Sequence, residues 1–193
     1  RSNDMLILSP ELTRYFPSKN TFDHIMALDG DIFRSLENRK TLRFSAHQEL
    51  YFAKLHRGVG WREIFKNLLQ LRLPILGAKN EWRALTRLKQ LGVATQTCVA
   101  YGARGYNPAK KQSFLITEAL THTVSLETLT ENWLQKPPTF AFKHQLIREV
   151  ARIARCLHTQ GVNHRDFYIC HFLLDTQKDA LTLYLIDLHR AQL

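Results

Sequence analysis

Gly161-Val-Asn-His-Arg-Asp-Phe-Tyr-Ile-Cys-His-Phe-Leu-Leu174, then the polar turn Asp175-Thr-Gln-Lys-Asp179, then Leu181-Thr-Leu-Tyr-Leu-Ile-Asp187 is the stretch that decides the fold. Its apolar segments, Ile169–Leu174 and Leu181–Ile186, read as two short strands joined in a hairpin. A hairpin brings the chain back to where it started, so Asp166 before the first strand and Asp187 after the second become neighbours. His171 falls on the same rim. Two carboxylates and an imidazole at one edge can bind a divalent metal and position a hydroxyl. Two isolated aspartates are more often a turn residue and a strand end, because structural carboxylates outnumber catalytic ones, so the rest of the chain has to decide.

Working outward, Pro137-Pro138 introduces a long helix with Phe142, Leu146, Val150, Ala154 and Leu157 as its apolar positions, ending at Gly161. In the first half, Thr41-Leu-Arg-Phe44 and Leu50-Tyr-Phe-Ala-Lys54 read as strands joined by a turn around Ala46–Glu49. A third strand is expected near Ile25–Leu28, before Gly30. Trp61, Ile64, Phe65, Leu68 and Leu69 share one face of a helix stopped by Pro74. That face reads as core packed on the sheet, with membrane contact a lesser reading supported by Arg62, Lys66 and Arg72. A second helix is expected from Gly77 to Leu91, with Glu81 in its first turns, Trp82, Leu85 and Leu88 inward, and Gly92 as its stop. Strands at Gln96–Tyr101 and Ser113–Thr117 flank a loop over Gly102–Pro108. The result is an α+β arrangement of two lobes within one domain. An antiparallel-sheet N-lobe covers residues 20–118 and a helical C-lobe covers 119–193.

Lys54, Glu81, His164-Arg165-Asp166 and Asp187 occur in the order of the protein-kinase signature set. Phosphoryl transfer uses such parts because its catalysis is mostly positioning and charge neutralisation.

The run Gly161–Leu174 resembles the catalytic stretch of the lipopolysaccharide core heptose(I) kinase family. Ile186-Asp-Leu-His-Arg-Ala191 is similar to that family's counterpart of the Asp-Phe-Gly motif. Tyr51-Phe-Ala-Lys-Leu-His-Arg-Gly-Val-Gly-Trp61 and Leu76-Gly-Ala-Lys-Asn-Glu-Trp-Arg-Ala84 resemble it as well. The resemblance implies a two-lobed protein-kinase-like fold and ATP-dependent phosphorylation of the first heptose of the inner core, at its 4-hydroxyl. Such an enzyme would work in the cytoplasm, peripherally at the inner membrane's cytoplasmic face. By position, Asp166 would be the catalytic base and Lys54 the phosphate-binding lysine paired with Glu81. Asp187 would hold Mg²⁺, with His171 where protein kinases place a metal-binding Asn, and Glu118-Ala-Leu120 would form the adenine hinge. Acyl carrier protein is an implied acidic partner.

Three further departures from protein kinases stand out. No Gly-x-Gly-x-x-Gly loop is present, and Arg34 or Arg39 is left to supply charge near Gly30. Leu188-His189 replaces Phe-Gly. The C-lobe reads as truncated at Leu193, six residues after Asp187.

Composition narrows the alternatives. The 193 residues are 45% apolar and 23% charged, which excludes wholesale disorder. Twenty-seven Lys and Arg against 17 Asp and Glu give +10, which calls for an anionic partner. No apolar run is long enough to span a bilayer, and the first residues lack the apolar core of a signal peptide. Cys98, Cys156 and Cys170 form no CxxC pair, consistent with a reducing compartment. A nucleic-acid-binding protein would use the basic stretch from Arg57 to Lys89, but no nucleic-acid motif accompanies it. A metal-dependent hydrolase built on His164, Asp166, His171, Asp187 and His189 leaves Lys54 and Glu81 without a role. A kinase of the neighbouring Kdo sugar and a pseudokinase scaffold remain as alternatives.

Overall fold

The computed structural model describes residues 4–70, 77–162 and 167–187. The chain divides into two compact units, Arg1–Trp82 with Thr97–Ala119, and Arg83–Gln96 with Leu120–Leu193.

The first unit runs β1 (Met5–Leu8), α1 (Pro10–Tyr15), α2 (Thr21–Met26), β2 (Asp31–Leu36), β3 (Arg39–Ala46), β4 (Glu49–His56) and α3 (Gly60–Leu69). It then takes in the start of α4 (Lys79–Gln90), β5 (Cys98–Arg104) and β6 (Gln112–Glu118). The six strands form one antiparallel sheet in the order β1-β5-β6-β4-β3-β2. Strand alternation sorts its side chains onto two faces. Leu42, Ala53, Ile116 and Ala100 lie opposite one another across β3, β4, β6 and β5. They form a core with Leu12 of α1, with Phe16 just after that helix, and with Ile25 and Met26 of α2. β6 is buried on both faces, with Phe114, Leu115 and Ile116 inaccessible, as an interior strand requires. Gly102 on β5 permits this packing, because a Cβ there would strike the Phe114 ring.

Two expectations from sequence are corrected here. The segment Ile25–Leu28 is not a strand. Phe22, Ile25 and Met26 follow helical i, i+3, i+4 spacing, and α2 buries Ile25 and Met26. The strand comes after Gly30, as β2. The loop after β5 begins at Gly105, not Gly102. The turn around Ala46–Glu49 is a two-residue connection in which His47 and Gln48 both have positive φ. Primed hairpin turns demand that conformation, although neither residue favours it.

The second unit contains residues 83–90 of α4, β7 (Thr123–Ser125), α5 (Leu126–Thr130), α6 (Phe140–Thr159), a 3-10 turn (Ile169–His171), β8 (Phe172–Asp175) and β9 (Leu183–Leu185). Ser125 and Thr139 cap α5 and α6 through their hydroxyls. β7, β8 and β9 form a small antiparallel sheet. The expected strand at Ile169–Leu174 is shorter than read, its first three residues being the 3-10 turn.

The two long helices end in the same way. Gly92 and Gly161 have φ of 72° and 69°. The N–H of Val93 bonds Leu88 O at 3.0 Å, and that of Val162 bonds Leu157 O at 2.9 Å. Each end is a Schellman motif with a buried Val over a buried Leu. Pro74, the expected stop of α3, lies outside the described residues.

Candidate active site

The face of the first unit's sheet opposite the α1/α2 core carries the polar groups. Register places Lys54 of β4 opposite Thr41 of β3, and Thr41 opposite Arg34 of β2. Cross-strand partners point to the same side, so Arg34, Thr41 and Lys54 form a row on one face. A β-bulge at Phe33 makes this possible. Continuing the Ile32–Leu42 register would set Phe33 opposite Thr41, and the extra residue brings Arg34 there instead. Arg34 is exposed and has no acidic partner among the described residues. The displaced Phe33 packs edge-on against Phe52, at 5.2 Å between centroids, with the Arg43 guanidinium over it.

Glu81 is delivered to the same face by the first turns of α4. The helix is anchored at two points: the Ala78 N–H bonds Ser113 Oγ at 3.0 Å, and Trp82 stacks on Tyr101 at 4.5 Å. Lys54 Nζ donates to Glu81 Oε1 at 2.5 Å. The Glu81 side chain is 3% exposed and that of Lys54 is 24% exposed. Glu81 Oε2 is buried with no hydrogen-bond partner among the described residues. Such a carboxylate is tolerable only because a cation neutralises it.

The second unit presents another close polar pair. β8 and β9 align Phe172 with Leu185, and the Ile186 N–H extends the ladder to His171 O at 2.9 Å. His171 Nε2 and Asp187 Oδ2 therefore lie 3.4 Å apart. Asp187 has φ of 61°, a left-handed conformation that Asp tolerates better than most residues and that often marks a functional position. The base of β9 is tied to the α4 end, where the Leu185 N–H bonds Ala94 O at 2.9 Å.

Other residues singled out in the sequence fall as follows. Glu118 closes β6, and the N–H groups of Glu118 and Ala119 are bound to Thr97 O and Leu50 O, so the sheet ends just before Leu120. Asp166, with His164 and Arg165, lies outside the described residues, as do Leu188 and His189. Among the described residues, no group of three His, Cys, Asp or Glu side chains could hold a metal ion. None of their helices is long and apolar enough to cross a membrane. Arg34 was legible in the sequence only as a charge near Gly30. The bulge that turns it onto the Lys54 face has no sequence signal beyond an irregular apolar pattern.

An antiparallel sheet whose lysine is bound to a helical glutamate, followed by a helical unit with an aspartate after its last strand, defines a protein-kinase-like fold. Residues 23–193 match the model of the lipopolysaccharide kinase (Kdo/WaaP) family, and the chain belongs to that family. It is 49% identical over 191 residues to the lipopolysaccharide core heptose(I) kinase WaaP of Pseudomonas aeruginosa, covering 97% of this chain and 71% of that one. It is 46% identical over 193 residues to the Escherichia coli protein of the same name, covering 98% and 73%. Among solved structures, WaaP in complex with acyl carrier protein matches with a TM-score of 0.83 and 42% identity, over 97% of this chain and 72% of that one.

Proposed function

We propose that this chain transfers the γ-phosphoryl group of ATP to the 4-hydroxyl of the first heptose of the lipopolysaccharide inner core. The observation that carries the kinase reading is the Lys54–Glu81 pair, held by a helix anchored to the sheet on both sides of Glu81. The heptose acceptor rests on the relatives named heptose(I) kinases.

In this reading Lys54 holds the nucleotide's phosphates and Glu81 keeps it extended. Arg34, on the same face, supplies the second cation that a glycine-rich loop's backbone amides would otherwise replace. Glu118 and Leu120 border the adenine. Asp166 accepts the acceptor hydroxyl's proton as its oxygen bonds to phosphorus and the bond to the leaving ADP breaks. Residues 20–118 and 119–193 act as the two lobes of one domain.

The donor set suits magnesium. Mg²⁺ takes oxygen ligands and keeps several from water and phosphate, so one carboxylate, Asp187, is an adequate protein share. His171, a nitrogen group 3.4 Å from that carboxylate, orients it. When bound, the ion would neutralise charge on the transferring phosphate. On this reading the enzyme works in the cytoplasm, peripherally at the inner membrane where its glycolipid acceptor lies, and acyl carrier protein, the partner of the matching WaaP structure, is an acidic protein suited to the +10 charge.

The reading is tested by incubating the purified chain with γ-labelled ATP, Mg²⁺ and dephosphorylated lipopolysaccharide core, then locating the label. Label on the first heptose supports the proposal. Label on Kdo transfers the reading to the neighbouring sugar.

A further inference from the structure

α3 does not bury the face that its sequence marks as apolar. Trp61, Phe65, Leu68 and Leu69 are 51, 59, 52 and 86% exposed, and Ile64 alone of the helix is buried. At about 100° per residue the four exposed side chains occupy one arc of about 100°. Trp61 and Phe65 are in ring contact at 6.1 Å, so the arc is a continuous ridge. Soluble surfaces scatter exposed apolar residues singly, and a contiguous patch of this kind marks an interaction site.

Charge says what covers it. Arg62 and Lys66 are exposed, adjoin one edge of the arc, and have no acidic partner among the described residues. Glu63 lies on the far side of the helix, tied to Asn67. The N-terminal end of α3 is fixed to the β5–β6 loop, where the Gly60 N–H bonds Ala109 O at 3.0 Å. A side chain at Gly58 would collide with the backbone of Ala109 and Lys110. That contact sets exposed Lys110 beside the helix, on a loop that also exposes 65% of Tyr106. Aromatic rings in an apolar arc, with uncompensated cations along its edge and at its end, form the pattern of a helix lying in a bilayer interface. A ten-residue helix is only about 15 Å long, so it lies in the interface and does not cross it.

We infer that α3, with Lys110, is a docking surface for a bilayer bearing anionic lipids. Trp61, Phe65, Leu68 and Leu69 enter the headgroup boundary, while Arg62, Lys66 and Lys110 meet lipid phosphates. The inference deepens the peripheral location proposed above and rests on that reading. Its test reads binding alone, so a failed phosphotransfer assay leaves it standing.

The experiment sediments the full chain with vesicles of phosphatidylglycerol and phosphatidylethanolamine, or of phosphatidylcholine alone, at low and high salt. The parent is expected to bind the anionic vesicles, to release at high salt, and to bind phosphatidylcholine weakly. Phe65→Glu/Leu69→Glu should lower anionic-vesicle binding by about tenfold or more with an unchanged thermal midpoint, because both positions are exposed. Leu69→Gln, the mildest change at the most exposed site, serves if the double variant unfolds. Arg62→Ala/Lys66→Ala should flatten the salt dependence. A folded parent that ignores anionic vesicles overturns the inference, as do folded Phe65→Glu/Leu69→Glu or Leu69→Gln variants that bind like the parent. Phe65-dependent binding of acyl carrier protein without vesicle binding gives the face to an acidic protein and overturns it too.

Discussion

Lys54 and Glu81, 27 positions apart in sequence, meet at 2.5 Å with the glutamate buried and the lysine partly open to solvent. This asymmetry lets one partner serve structure and the other reach a ligand. Lys54→Met removes the cation that neutralises the buried Glu81 carboxylate. It is expected to lower turnover by about 10²–10³-fold and to lower the thermal midpoint as well. Lys54→Met/Glu81→Leu should regain the midpoint without regaining turnover. Calorimetry alongside steady-state kinetics separates the two effects.

Arg34→Ala tests the bulge-directed row. It should raise KM for ATP about tenfold while changing kcat much less, because the guanidinium binds phosphate before and during transfer. Arg34→Lys should recover part of the loss. Deleting Phe33 should leave the KM for ATP near the parent's, since Arg34 then follows Ile32 directly and still pairs with Thr41. Unchanged kinetics in Arg34→Ala would remove Arg34 from the site.

His171 and Asp187 predict a split. Asp187→Ala should abolish measurable turnover and the response to added Mg²⁺. His171→Asn, which supplies an oxygen ligand in place of the imidazole, should retain turnover and shift the Mg²⁺ concentration needed for half-activity. His171→Ala should lower turnover by about 10–100-fold through loss of carboxylate orientation. Titrating Mg²⁺ against each variant is the check.

Gly102→Ala should destabilise the first unit by about 1–3 kcal/mol, because its methyl group meets the buried Phe114 ring. A Gly102→Ala/Phe114→Leu pair should recover part of that loss, as urea unfolding of the single and double variants would show.

The C-terminal hairpin was legible because its two apolar segments and the polar turn between them follow one another directly, so the pairing of β8 with β9 is fixed locally. α4 was legible for the same reason, with its apolar spacing and its glycine stop. Lys54, Glu81 and Asp187 were legible as candidates through their order along the chain, each lying in or just after a recognisable element. The meeting of Lys54 with Glu81 depends on the tertiary fold, and the resemblance supplied that pairing, not the spacing.

Other features escaped for physical reasons. β2 is exposed along its whole length and carries a bulge, so no period-2 pattern survives in Asp31–Leu36. The short α2 mimics a strand because Ile25, Met26 and Leu28 form a brief apolar run, which periodicity alone cannot assign. β7 has only three residues. α3 shows a deeper limit: apolar spacing identifies a face but not what covers it, and Trp61, Phe65, Leu68 and Leu69 fit a core stripe as well as a surface ridge.

The most direct measurement compares phosphate transfer from γ-labelled ATP to dephosphorylated lipopolysaccharide core by the parent chain and by Asp166→Ala. The proposal predicts label on the first heptose with the parent and a loss of about 10²–10⁴-fold with the folded variant. Equal incorporation by the two proteins, or none from a folded parent that fails to bind ATP, would contradict it.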